Sequence, residues 1–263
     1  MTPYVSFASG KLLATPGVSQ IEGSAGGGLV PWAQLAGYAT EDEVSVSAYC
    51  SQANVTDFQL NSFGGQANLF DRLEISFAKH NFNIDPLSLT LSQHIFGAKL
   101  RLYGDVVYST WPQVSAGIQH KTLKHPDIAF ALGAKRDTGN DVYLAASKLH
   151  LGLFAGYNVL WNATARYTDA NEIGLLGFGG PDSEMTLQAE VSIAVLINKH
   201  VAIGTEYRQK PDNLELKEDD WQDVFIAWFP NKHVNVTLAY LDLGAIATIP
   251  NQTGWYLSLS GAY

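Results

Sequence analysis

Residues 185–197 read MTLQAEVSIAVLI, and a single period runs through them. Leu187, Ala189, Val191, Ile193, Val195 and Ile197 share one face of an extended chain, while Thr186, Gln188, Glu190, Ser192 and Ala194 share the other. Successive side chains of a strand point to opposite sides, so this is the pattern of a two-faced strand. The pattern resumes after each short polar break. After INKH come Val201, Ile203, Thr205 and Tyr207 against Ala202, Gly204, Glu206 and Arg208. After FPNKH come Val234, Val236, Leu238 and Tyr240 against Asn235, Thr237 and Ala239. Upstream, Val114, Ala116 and Ile118 oppose Gln113, Ser115, Gly117, Gln119 and Lys121, and Leu73, Ile75 and Phe77 oppose Glu74, Ser76, Ala78 and His80. Helical spacing is hard to find anywhere. The chain is all-β.

Alternation leaves open which face meets water. A soluble sandwich turns its apolar face inward. Soluble strands, however, average about 5–6 residues, and these alternations persist for roughly 9–12, the length that crosses a bilayer at a tilt. The polar face is rich in Gly, Ser, Ala, Asn and Gln and poor in lysine, which suits a crowded lumen better than a free surface. Aromatics stand near strand ends, at Tyr38, Tyr108, Trp111, Tyr167, Trp221, Trp228, Tyr240 and Trp255, where an interfacial girdle places them. The expectation is a transmembrane up-and-down antiparallel barrel with its apolar face to lipid.

Composition removes several alternatives. Lys+Arg 16 against Asp+Glu 25 gives a net charge of −9, the wrong sign for a nucleic-acid surface. The single cysteine, Cys50, excludes an internal disulfide and a cysteine metal site. No run approaches 18 consecutive apolar residues, so no transmembrane helix is encoded. A basic region followed by an apolar one is also missing at the start. Either the protein is not secreted, or Met1 stands where a signal peptide was removed.

Connections alternate between short and long. YATEDE, NLFDR, STWPQ, LHLG, INKH and FPNKH are tight; 84–92, 122–140, 167–184, 209–221 and 244–253 are longer. That asymmetry matches periplasmic turns and outer loops. The strands fall near 29–39, 44–54, 59–70, 73–83, 94–107, 112–122, 141–150, 153–166, 185–196, 199–209, 222–229, 232–243 and 254–263. An even number is preferred, so fourteen is expected if 11–21 adds one, with twelve the fallback if 29–39 does not count. The barrel is set at 29–263, and residues 1–28 stay open between a first strand, a plug and a tail. The facing of 141–150 also stays open, because Lys148 falls with Val142, Leu144 and Ala146.

In lipid every backbone N–H and C=O must be bonded within the protein, so a last strand must pair with the first. GWYLSLSGAY, residues 254–263, is the closing strand, with Trp255, Leu257, Leu259 and Tyr263 on its lipid side.

The lumen face carries charges of both signs: Glu74, Lys99, Arg101, Arg166, Glu190, Glu206, Arg208 and Asp223. Such charges either line a water-filled constriction or pair across strands and fill it. Arg166, Glu190 and Glu206 lie on three consecutive strands, a spacing that fits an ion-pair ladder. GSAGGG, residues 23–28, matches no phosphate-loop pattern and reads as a connection or a close backbone approach. IGLLGFGGP, 173–181, reads as a loop folding into the mouth, and KPDNLELKEDD, 210–220, as an acidic outer loop. His80 points to the lumen near Glu74, but no G-x-S-x-G or H-E-x-x-H signature accompanies it. No catalytic residue, metal or cofactor is assigned.

KLLATPGVSQIEGSAGGGLVPW, GLLGFGG, EYRQKPDNL, DDWQDVFIAWFPNKH and NQTGWYLSLSGAY together resemble an outer-membrane protein family of Gram-negative bacteria filed as a domain of unknown function. The resemblance spans nearly the whole chain. It implies a β-barrel in the bacterial outer membrane and no activity, so no functional residues carry over. The terminal aromatic, Tyr263, also resembles the C-terminal signal read by the outer-membrane barrel assembly machinery. The partners expected are therefore that machinery, outer-membrane lipids with lipopolysaccharide, and small solutes. The function expected is a narrow channel for small solutes or ions; the alternatives are a closed structural or partner-binding barrel and, last, a barrel enzyme.

Overall fold

Tyr263 and Val46 exchange two backbone hydrogen bonds of 2.8 Å and so complete the seam of a closed sheet. The computed structural model describes residues 11–181 and 185–263. A two-residue ladder, β1 (Val18–Ser19) with β2 (Ala25–Gly26), precedes the barrel. The barrel strands are β3 (Val44–Val55), β4 (Phe58–Leu69), β5 (Leu73–Ile84), β6 (Leu89–Tyr103), β7 (Gln113–Lys124), β8 (Thr138–Phe154), β9 (Tyr157–Thr168), β10 (Thr186–Leu196), β11 (Val201–Arg208), β12 (Trp221–Trp228), β13 (Val234–Asp242) and β14 (Thr253–Ala262). Each pairs antiparallel with the next, and β14 returns to β3 in the register Gly254↔Val55 to Ala262↔Ser47. One short helix, α1 (Asp127–Ala131), lies in the connection after β7.

The strand count is twelve, the fallback, rather than fourteen. Residues 29–39 do not join the sheet, and among the described residues neither does 11–21. Pro31 explains the first point: it has no N–H to give to a ladder in which every backbone group must be paired. From Ala14 to Ala39 the chain instead runs buried inside the lumen. Residues 1–10, part of the N-terminal segment 1–28, lie outside the described residues. So do 182–184, the end of the expected connection 167–184. The connection expected at 84–92 contracts to the turn Asp85–Ser88, because β6 begins already at Leu89.

The facing is as the alternation requires. On β10, Leu187 and Ile193 are exposed at 68% and 50%, whereas Glu190 and Ser192 between them are each 1% exposed. The open case, β8, turns Asp141, Tyr143, Ala145 and Ser147 inward and Val142 and Leu144 outward. Lys148 has outward parity, but its ammonium bends under the turn after β6 and donates to the carbonyls of Asp105 and Val107, both at 3.4 Å, and Ser109.

One flank reverses this polarity toward its outer end. On β5 the outward residues pass from Ile75 and Phe77 to Lys79, Asn81 and Asn83, while the inward ones pass from Glu74 and Ser76 to Phe82 and Ile84. β4 and β6 match it, with Gln59, Asn61, Thr90 and Ser92 outside and Phe58, Leu60 and Leu91 inside. A strand with polar residues outside and apolar ones inside has left the hydrocarbon. The outer half of β4–β6 therefore stands above the bilayer as an ordinary water-facing wall. It encloses an apolar core joined by Leu175, Trp221, Leu241 and Leu243.

Candidate functional site: the occupied lumen

The N-terminal segment fits the lumen because its glycines allow close approach. Gly23 sits at φ +103°, and a Cβ on Gly27 would lie 1.9 Å from Glu206 Oε1. GSAGGG is thus a packing device. Its backbone exchanges hydrogen bonds with the charged wall. Glu74 accepts from the amides of Ala25 (3.1 Å) and Ala36 (2.8 Å), and Lys99, 3.3 Å from Glu74, donates to the carbonyls of Ala25 (2.8 Å) and Trp32 (3.2 Å). Glu206 accepts from the Leu29 amide at 2.7 Å and from Ser192 Oγ at 2.6 Å, which in turn accepts the Trp32 indole N–H at 2.8 Å. A wall that would need water in an open pore is satisfied here by peptide groups.

At the centre lies a six-charge cluster. Glu22, the segment's own carboxylate, accepts from Arg208 Nη1 at 2.7 Å and Gln20 Nε2 at 2.8 Å, lies 3.4 Å from Arg166 Nη2, and is bonded by Lys121 Nζ. Lys121 and Arg166 also reach Asp141, at 2.6 and 3.1 Å. Arg166 Nε and Arg208 Nε meet Glu190 Oε1 at 2.6 and 3.4 Å. Three cations face three anions, and no side chain among them is more than 4% exposed. Buried charges need this degree of pairing, since each unpaired one costs several kcal/mol.

Of the eight predicted lumen charges, Arg166, Glu190 and Arg208 join this cluster, and Glu74 with Lys99 forms a second pair beside it. Arg101 does not reach the lumen centre. It sits at the periplasmic end, bonded to Asp71, to Asp105 at 3.2 Å and to the Gly104 carbonyl at 2.6 Å. Glu206 is not the third rung of the ladder; Arg208 is, because Glu206 is engaged by the segment. Asp223 accepts from the Glu206 amide at 3.1 Å, and neither carboxylate has a Lys or Arg within 4 Å among the described residues. His80 is far from Glu74 along β5 and meets the Ile21 carbonyl at 2.8 Å. Lys121, Asp141 and Glu22 are not among the expected lumen charges, although Lys121 stands on the polar face of its strand.

Six of the eight expected girdle aromatics are exposed outward, Tyr108, Trp111 and Trp228 toward the periplasmic end and Tyr167, Tyr240 and Trp255 toward the other. Tyr38 and Trp221 are not in the girdle. Tyr38 is buried beneath Lys232, and Trp221 shares the inward parity of Asp223, with the Arg208 guanidinium 5.8 Å and the Lys210 ammonium 5.1 Å from its ring. Trp255, Leu257, Leu259 and Tyr263 all face outward on or beside β14.

The mouth is closed from above. Residues 169–180 fold inward, where the Ile173 carbonyl accepts from Lys121 Nζ at 3.1 Å and Leu175 enters the apolar core. Lys210, from the acidic outer loop, lies 2.6 Å from Glu172 and 3.2 Å from Glu218. Burial and the neighbouring Glu172 carboxylate push Glu218 up to about 8 despite that ammonium. Beside the segment remain cavities of about 30 Å³ near Phe58 and Trp221 and about 50 Å³ near Leu12 and Val107. These are spaces of water size.

Residues 15–260 match the family model described as "Protein of unknown function (DUF3034)". No curated protein matches the chain. Among solved structures it is similar to the Acinetobacter baumannii outer membrane protein Omp33, with 7% identity, 85% of this chain and 99% of that one covered, and a TM-score of 0.49. It is similar also to the COG4313 outer membrane channel of Pseudomonas putida F1, with 15% identity, coverage of 83% and 94%, and a TM-score of 0.47. A mutant Rh. blastica porin follows at 7% identity, coverage of 84% and 100%, and a TM-score of 0.37.

Proposed function

Since the chain belongs to the DUF3034 family, whose description assigns no function, we propose its role from its own geometry: an outer-membrane barrel closed by its own N-terminal segment, which passes small polar solutes when that segment leaves the lumen. One observation carries this reading. The wall charges are satisfied by the segment rather than wholly by one another: Glu74, Lys99, Glu206 and Arg208 each bond its backbone, and three cations converge on Glu22. A barrel that served only as a scaffold would gain by pairing such charges within the wall or replacing them with apolar residues. With the segment out, the same groups would line a hydrated path.

The bacterial outer membrane is the location proposed, with its lipids and lipopolysaccharide around the apolar belt. The assembly machinery is the partner proposed to read the outward residues of β14. The second reading, a closed barrel that binds a partner through its outer loops, is favoured by the seal that residues 169–180 place over the mouth.

Planar-bilayer recording of the full chain separates the two. The channel reading expects a quiet wild type with rare openings and a higher open probability for Glu22→Gln and for Glu74→Gln. Silence in all three, from barrels shown to be inserted, overturns it.

A further inference from the structure

Glu22 is the one carboxylate in the central cluster that does not belong to the wall. Remove it, and the wall holds Lys121, Arg166 and Arg208 against Asp141 and Glu190, an excess of one positive charge. Glu206 and Asp223 stand on the same wall but form no contact ion pair with any of the three cations among the described residues. The donors are also arranged as a carboxylate requires. Arg208 Nη1 approaches Oε2 at 2.7 Å, Arg166 Nη2 lies 3.4 Å from the same oxygen, and Lys121 Nζ bonds Oε1. The Gln20 amide completes the set from within the segment at 2.8 Å. Arg166 is braced by Glu190, by Gln119 Oε1 at 2.9 Å and by Tyr143, whose ring centroid is 5.4 Å from the guanidinium carbon. Lys121 is braced by Asp141. These partners belong to the wall and stay with Arg166 and Lys121 when the carboxylate goes, while Arg208 keeps Glu190 at 3.4 Å and the Trp221 ring at 5.8 Å.

We propose that Lys121, Arg166 and Arg208 form a carboxylate-binding site on the barrel wall, which Glu22 fills as a tethered stand-in while the lumen is closed and which takes the carboxylate of a small anionic solute when the segment leaves. The inference rests on the closed-channel reading for its second half and names the solute class for it. It also runs against the overall charge of −9, which by itself would favour cations. Fixed charges that touch the solute outweigh distant ones on the loops, because exposed charges lose most of their reach within about 10 Å at ordinary ionic strength.

The test is chemical rescue in the full-length protein. Glu22→Ala removes a group the size of acetate. Acetate or formate at millimolar concentration should raise the melting temperature of detergent-solubilised Glu22→Ala by about 2–4 °C, with saturation, and leave wild type unmoved. Phosphate and methylammonium should do neither, and the added change Arg208→Leu should abolish the acetate effect. If Glu22→Ala yields little folded barrel, refolding with and without acetate gives the same information, read as the heat-sensitive fast-migrating band on a gel. Equal shifts in wild type and variant, or an equal response to phosphate or methylammonium, overturn the carboxylate site. No current is recorded, so a silent bilayer leaves this result standing, and failed rescue leaves the conductance test untouched.

Discussion

Arg208 Nη1 donates to Glu22 Oε2 at 2.7 Å, joining strand β11 to a residue 186 positions earlier in the chain. The contact spans the boundary between wall and contents. It makes the N-terminal segment part of the electrostatics of the barrel rather than a passenger within it.

The cluster is neutral only when complete. Glu22→Gln leaves one surplus positive charge in a buried site and Arg208→Gln one surplus negative charge. Each is expected to cost about 3–5 kcal/mol. The double variant restores neutrality, so its cost should fall below the sum of the two by about 1–3 kcal/mol. Urea unfolding in lipid vesicles measures all four corners of the cycle.

The polarity reversal on β5 predicts unequal effects on a single face. Ile75→Arg puts a charge into hydrocarbon and should cost about 2–4 kcal/mol. Asn81→Arg, six residues along the same outward face, enters water and should cost no more than about 1 kcal/mol. Equal costs in the same vesicle assay would contradict a wall raised above the bilayer.

The outer cap should respond to pH through Glu218, whose folded value is raised to about 8. A carboxyl that binds its proton more tightly when folded adds stability that declines as pH rises toward and through that value. Packing of 210–220 onto Glu172 is therefore firm at pH 6 and loosened above about 8. Trypsin cleavage after the exposed Lys217 should accelerate across that range beyond the protease's own profile. Glu218→Gln, which never ionises, should remove the excess.

Gly27 tests how tightly the segment is seated. A methyl there meets Glu206 Oε1 at 1.9 Å, whereas one on Gly28 meets Tyr256 Cε1 at 3.3 Å. Gly27→Ala should lose about 1–3 kcal/mol and let a small dye escape from loaded liposomes; Gly28→Ala should lose less and leak less.

The barrel was legible because its strands are long and carry one period, so Gln188, Glu190 and Ser192 could be placed inside from parity alone. The same rule, applied to Trp221, would have put it inside with Asp223; its position at a strand end drew it to the girdle instead. Pro31 makes 29–39 unfit for a closed ladder, because it has no N–H to donate. Apolar residues buried by a lumen and by lipid look alike in sequence. Glu22 was not legible at all. Its role depends on Lys121, Arg166 and Arg208, which three separate strands bring together only on closure.

Ser19 and Ser260 tie the segment to β14, their hydroxyl oxygens 3.2 Å apart. Cysteines at both positions, with Cys50 replaced by serine, would lock the segment in place by a disulfide. Single-channel recording before and after reduction then tests the closure directly. The account predicts no openings while the bond is intact and discrete openings once it is reduced. Currents of the same size and frequency in both states would contradict it.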